Sequence, residues 1–257
     1  MHVFEVVFEC YQDTTISAVE EAVNGLLERW RYNGQVIGRE FPIVLREGDF
    51  AVRLICPDMD SLHPKYHSKP VKMAISHLAD AGILSPKVRH LGQDINSEVV
   101  AESDPSWQIL YTTYVHSCSP LRSGDSFLPI PLTRISPTGE WDHTPLVRWQ
   151  TQWQACDEIQ MGGDCTARLE TLALAEISDP ESRLFSQGRD FCRQIEKNTG
   201  TPTYYYQYRV AQLGEDEHQR VCPICHQAWR LVEPVFDIFA FKCDDCRLVS
   251  NMAWDCQ

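Results

Sequence analysis

Nowhere in its 257 residues does the chain run to about 18 consecutive apolar side chains, the length a membrane-spanning helix needs, so no such span and no membrane partner are expected. The first ten residues carry Glu5 and Glu9 and have neither a basic start nor a long apolar core, so a secretory leader is not expected either. Of the 11 cysteines, seven lie outside the tetrad described below and show no pairing scheme, which fits a reducing compartment and a cytoplasmic protein. A Gly-rich phosphate loop, a His-Glu-x-x-His and a Gly-x-Ser-x-Gly are all missing, and the expectation is a non-catalytic chain. Fixed-period repeats and low-complexity tracts are missing too.

Basic side chains are also scarce. Lys and Arg number 23 against 36 Asp and Glu, a net charge of −13. The deficit is spread along the chain, and residues 214 to 257 alone hold eight acidic and four basic groups. Phosphate neutralisation supplies most non-specific nucleic-acid affinity, so a polyanion would need a local basic patch. One segment provides a candidate. From Asp60 to His90 the chain carries Lys65, Lys69, Lys72, Lys87 and Arg89 against Asp60 and Asp80, with His63 and His67 interleaved. The part around His63 to Lys69 precedes a helix start, where free N–H groups favour anions. A solvated loop and helix face accounts for the same residues.

What the chain does have is Cys222-Pro-Ile-Cys225 and Cys243-Asp-Asp-Cys246, two Cys-x-x-Cys turns with 17 residues between them. Each turn aims two sulfurs at one centre, and the interval accommodates a β-hairpin that brings the pairs together around one zinc ion. With four thiolates no coordination position stays open, so the zinc would be structural. Four thiolates and one Zn²⁺ add two negative charges to an already acidic ribbon. That favours a basic protein partner for this end of the chain over a polyanion.

The element order is readable. Val3 to Glu9 alternates as a strand, Asp13 or Thr14 is placed to cap a helix with Ile16, Val19, Val23, Leu26 and Trp30 on one face, and Asn33-Gly34 stops it. Strands are expected at Gln35 to Leu45 and Phe50 to Cys56, a helix from Pro70 to Gly82 and a last strand at Lys87 to Leu91. This is the βαββαβ order of a ferredoxin-like unit over residues 1–93, a scaffold with many functions. Residues 106–213 read as a mixed α/β middle domain, with strands at Trp107 to His116 and Phe127 to Ile135, three helices and a tyrosine-rich strand from Thr203. Residues 214–257 form the ribbon, and the whole is an α+β protein.

Two weaker constellations invite chemistry. His116 and Cys118 would share a strand face, and with Asp157 or Glu158 could make a nucleophile set; free cysteines more commonly pack as small hydrophobes. An enzyme using His63, His67 or Cys118 is therefore the third reading. Trp149 and Trp153, like Tyr204, Tyr206 and Tyr208, could stack bases, although core packing explains them more simply.

The stretches Asn33-Gly-Gln-Val-Ile-Gly-Arg-Glu-Phe41, Ser61-Leu-His-Pro-Lys-Tyr-His67, Tyr111-Thr-Thr-Tyr114, Trp153-Gln-Ala-Cys-Asp-Glu-Ile-Gln160 and Lys242-Cys-Asp-Asp-Cys-Arg-Leu-Val-Ser-Asn251 resemble, over essentially the whole chain, a bacterial family of unknown function described as zinc-ribbon-containing candidate nucleic-acid-binding proteins. The resemblance implies a cytoplasmic zinc protein, with nucleic acid or a ribonucleoprotein as its suggested partner. Members of that family can carry Cys-Gly-Asp-Cys where this chain reads Ser123-Gly-Asp-Ser126. Serine is a poor zinc ligand, so a second metal is not expected.

Overall fold

The computed structural model describes residues 1–163, 166–210 and 217–253. The expected linker and ribbon start at 214–216 lie outside the described residues. The chain divides into two compact units.

The first unit comprises residues 1–102, 117–119 and 128–147. Strand β1 (His2–Glu9) leads into α1 (Ile16–Tyr32), followed by β2 (Val44–Leu45), β3 (Asp49–Cys56), α2 (Lys69–Asp80) and β4 (Lys87–Gln93). The sheet order is β2-β3-β1-β4, with every neighbouring pair antiparallel. One face of β1 and β3, through Phe4, Val6, Phe8, Val52 and Leu54, packs in one core with Val19, Val23, Leu26 and Trp30 of α1 and Val71 and Leu78 of α2. The α1 cap is Thr15, not Asp13 or Thr14: its hydroxyl accepts the Ala18 N–H at 3.2 Å. The strand expected over 35–45 shrinks to two residues plus a lone bridge between Ile37 and Ile55. Gly38, at φ +120°, and Pro42, which lacks an N–H, break the ladder there.

The second unit comprises residues 103–116, 120–127 and 148–257. Its strands are β5 (Gln108–Leu110), β6 (Leu121–Ser123), β7 (Thr203–Gln207), β8 (Arg230–Val235), β9 (Phe239–Cys243) and β10 (Leu248–Asn251). Between β6 and β7 come α3 (Thr144–Gly162), whose first turn belongs to the first unit, α4 (Ala167–Ser178) and α5 (Arg183–Thr199). The strands form one six-stranded sheet in the order β6-β5-β7-β10-β9-β8. The strand expected at Phe127 to Ile135 is absent, and β6 lies earlier. Phe127 has φ +61°, and Pro129 and Pro131 offer no ladder donors before a 3₁₀ turn at Leu132–Arg134.

Strand β7 is the middle of this sheet. It runs parallel to both β5 and β10, and its tyrosines are buried, Tyr205 completely. Helix α5 approaches Tyr205 through Gly188, where a Cβ would stand 2.2 Å from the ring. Because β10 follows the second Cys-x-x-Cys turn directly, the cysteine ribbon is part of the same sheet as the middle segment. No helix among the described residues is long and apolar enough to cross a membrane.

Candidate metal centre

Cys222 and Cys225 lie in the turn before β8, Cys243 ends β9 and Cys246 lies in the turn between β9 and β10, so the β8–β9 hairpin brings the two pairs to one point. The sulfurs of Cys222, Cys225, Cys243 and Cys246 all lie within 4.8 Å of one another, and Cys225 Sγ is 3.6 Å from Cys243 Sγ. Tetrahedral thiolates about 2.3 Å from a shared ion stand about 3.8 Å apart, so the spacing suits a metal ion. It far exceeds the roughly 2 Å of a disulfide. Cys222 and Cys243 are buried and the other two half-buried. Among the described residues, these are the only three or more His, Cys, Asp or Glu side chains so gathered.

The two turns repeat one backbone device. The residue after each second cysteine, His226 and Arg247, is left-handed at φ +58° and +53°. That bend folds the chain back: the His226 N–H reaches the Cys222 carbonyl at 2.9 Å, and the Cys222 N–H reaches the Gln227 carbonyl at 2.9 Å. Glycine is the usual residue for such a bend, so two bulky side chains there mark an over-determined loop.

Side chains outside the ribbon hold the second turn. Arg247 grips the Glu196 carboxylate of α5 with its Nε and Nη2, at 3.1 to 3.2 Å, and donates through Nη1 to the Asp244 carbonyl. Glu196 is partly desolvated, but Arg247 still holds its carboxyl below the usual range, and Glu196 in turn raises the guanidinium. The Tyr204 hydroxyl of β7 donates to Asp244, and Lys242 pairs with Asp244 at 2.8 Å. Those two contacts, Lys242 first, keep Asp244 acidic; burial and then Asp244 push Tyr204 up. Lys242 also stands over the rings of Trp107 and Tyr204, at 4.8 and 4.7 Å. Glu196, Tyr204 and Trp107 had no signal in the sequence as partners of the ribbon. They lie far from it in the chain, and only Arg247, next to Cys246, could have hinted at a clamp.

The basic candidates fall in several places. His63 caps a 3₁₀ turn, accepting the Lys65 N–H at Nδ1, and the half-buried His67 ring meets the Leu62 carbonyl at 3.3 Å, with burial lowering its pKa. Lys65 pairs with Asp60, and Lys69 lies over the Trp141 ring at 4.8 Å. Lys72 is exposed on α2. Lys87 and Arg89 are on β4, paired with Glu9 at 2.6 Å and Glu5 at 2.7 Å; Arg46 also binds the buried Glu5. Three of the five cations thus already face a carboxylate.

The other constellations resolve differently. Cys118 is buried and belongs to the first unit, whereas His116 and Asp157 belong to the second. The Asp157 carboxylate accepts the Tyr114 N–H at 2.8 Å, and burial raises its pKa. Trp149 and Trp153 are core residues, with the Trp149 indole N–H on the Leu184 carbonyl. In the Ser123 to Ser126 loop, the Asp125 carboxylate accepts from Ser106, and Gly124 lies under the Trp107 ring.

Fold and site therefore define an α+β protein with a sulfur cage competent to hold a metal ion. The chain is 45% identical over 249 residues to an uncharacterized protein of Haemophilus influenzae, covering 95% of this chain and 94% of that one. A second uncharacterized protein of that organism is 48% identical over 176 residues, 68% of this chain and 85% of the relative. The chain belongs to this bacterial family, whose function is unknown. Three models described as domains of unknown function match it: DUF8589 at residues 1–92, DUF2310 at 102–208 and DUF8594 at 212–256. None of these descriptions mentions zinc or nucleic acid.

Solved structures include two provisionally named as antibiotic biosynthesis monooxygenases. One, from Deinococcus radiodurans, shares 12% identity at a TM-score of 0.27, covering 38% of this chain and 99% of that one. The other, from Caulobacter crescentus, shares 15% at 0.28, covering 36% and 91%. Both carry enzyme names, so the expectation of a non-catalytic chain finds no support among these neighbours. The likeness carries no particular activity across.

Proposed function

We propose that the chain is a zinc-ribbon-containing binding protein whose partner is a basic protein. The observation that carries this reading is the internal neutralisation of its basic segment: Lys65, Lys87 and Arg89 are held by Asp60, Glu9 and Glu5. A phosphate backbone would have to displace those carboxylates to reach these three cations, which leaves Lys69 and Lys72 of the segment to meet it directly. The net charge of −13 repels a polyanion at long range and attracts a cationic surface. In this reading Cys222, Cys225, Cys243 and Cys246 hold one structural Zn²⁺, which staples β9 and β10 to the sheet and leaves no open coordination position.

Anisotropy titrations with single-stranded DNA and RNA at 50 and 200 mM salt test it, using the wild type and a Lys65→Glu, Lys69→Glu, Lys72→Glu triple variant. No salt-linked binding is expected from either protein. Tight binding that collapses with salt and disappears in the triple variant would establish the nucleic-acid reading instead. A pull-down after nuclease treatment should still recover a basic protein.

A further inference from the structure

We infer that a groove in the first unit is where that partner docks, by inserting a short basic amphipathic helix; this rests on the basic-partner reading above. The groove runs between α1, α2 and residues 139–145, the loop before α3 and the first two residues of that helix, with a volume of about 860 Å³. Its α1 side is built from small residues, Ala18, Ala22 and Gly25, so the backbone is accessible along a trough. A Cβ added at Gly25 would meet nothing within 4 Å, which confirms open space over the helix there. The opposite wall contributes Met73, 50% exposed, and the loop contributes Trp141, 48% exposed. An adaptable thioether and an aromatic ring at the edge of a small-residue floor are suited to the apolar stripe of a helix.

The occupant's charge follows from the rim. Glu21, Asp80 and Glu140 line the groove, are exposed, and engage no basic side chain among the described residues. Arg29 is the one Lys or Arg in the lining. Asp142 is turned inward, accepting the Thr144 N–H at 2.9 Å. A ligand that places apolar side chains on the floor therefore brings its flanks against three available carboxylates. Lys or Arg flanks satisfy them, acidic flanks are repelled, and a second copy of this chain brings another −13. Ala18 to Arg29 spans about 16 Å of α1 at 1.5 Å per residue, which matches about three turns of a docked helix.

Calorimetry on the full chain with two 18-residue helical peptides, one of Leu and Lys and one of Leu and Glu in the same amphipathic pattern, tests the inference. The lysine peptide should bind one to one and the glutamate peptide should not. Glu21→Lys with Asp80→Lys should weaken binding at least tenfold, and so should Gly25→Leu, a substitution that fills the trough on a helix it does not disrupt. Equal binding of both peptides, or a Kd unchanged in the variants, would overturn the groove. Photo-crosslinking separates the two levels. Crosslinks on residues 18–25 and 73–81 support the groove; crosslinks on residues 233–245 overturn it and leave the basic-partner reading standing. No lysine-peptide binding, combined with salt-linked nucleic-acid binding, would overturn both.

Discussion

His226 and Arg247 show how much one backbone torsion carries. Both occupy left-handed conformations that L residues adopt at a cost of about 1–2 kcal/mol, because the turn around each cysteine pair requires them. Replacing His226 by Val should cost about 1–2 kcal/mol in urea unfolding, whereas His226→Gly should be neutral or slightly stabilising. The four cysteines were legible because sulfur spacing is written locally in the chain. The left-handed residues were not, since neither is the glycine or asparagine that usually signals such a bend. In the first unit, His143 is 2% exposed, and burial lowers its pKa to about 4 from an ordinary 6.5. The unfolded chain takes up this proton below pH 6.5 while the folded one resists until about pH 4. Stability should therefore fall as pH drops through that window, by about 3 kcal/mol from this group at 1.36 kcal/mol per unit. Denaturant unfolding between pH 7 and 4 should show a loss that His143→Gln reduces.

Elements were legible where side chains repeat with a clean period. Helix α1 buries Val19, Val23, Leu26 and Trp30 as its spacing indicates, although Ile16 in its first turn stays 63% exposed. The strands at 35–45 and 127–135 failed for a shared reason: their apolar residues suit a strand, but Pro42, Pro129 and Pro131 withhold the ladder donors. The tyrosine-rich strand formed because aromatic side chains fill a two-sided interior, and there Gly188 becomes decisive. Gly188→Ala would push a methyl group to 2.2 Å from the Tyr205 ring, so thermal unfolding should register a loss of about 3 kcal/mol. Arg247→Lys should cost about 1 kcal/mol, because an ammonium cannot reproduce the two-nitrogen grip on Glu196; the partial exposure of this pair keeps the loss small.

For the whole molecule, sequence composition indicated a charge balance that disfavours polyanions, and the structure adds that the basic segment is spent largely on internal carboxylates. What composition could not show is that the ribbon closes a sheet begun 140 residues earlier, since the parallel pairing of β10 with β7 depends on contacts between distant segments. The metal should therefore matter beyond the ribbon: removing it should loosen β10 and with it the packing of β7. X-ray absorption at the zinc edge, with metal content measured on the purified chain, tests this account most directly. One zinc per chain with four sulfurs at about 2.3 Å is expected, with hydrogen exchange in Leu248–Asn251 accelerating after chelation. A metal-free chain whose β10 amides are equally protected would contradict it.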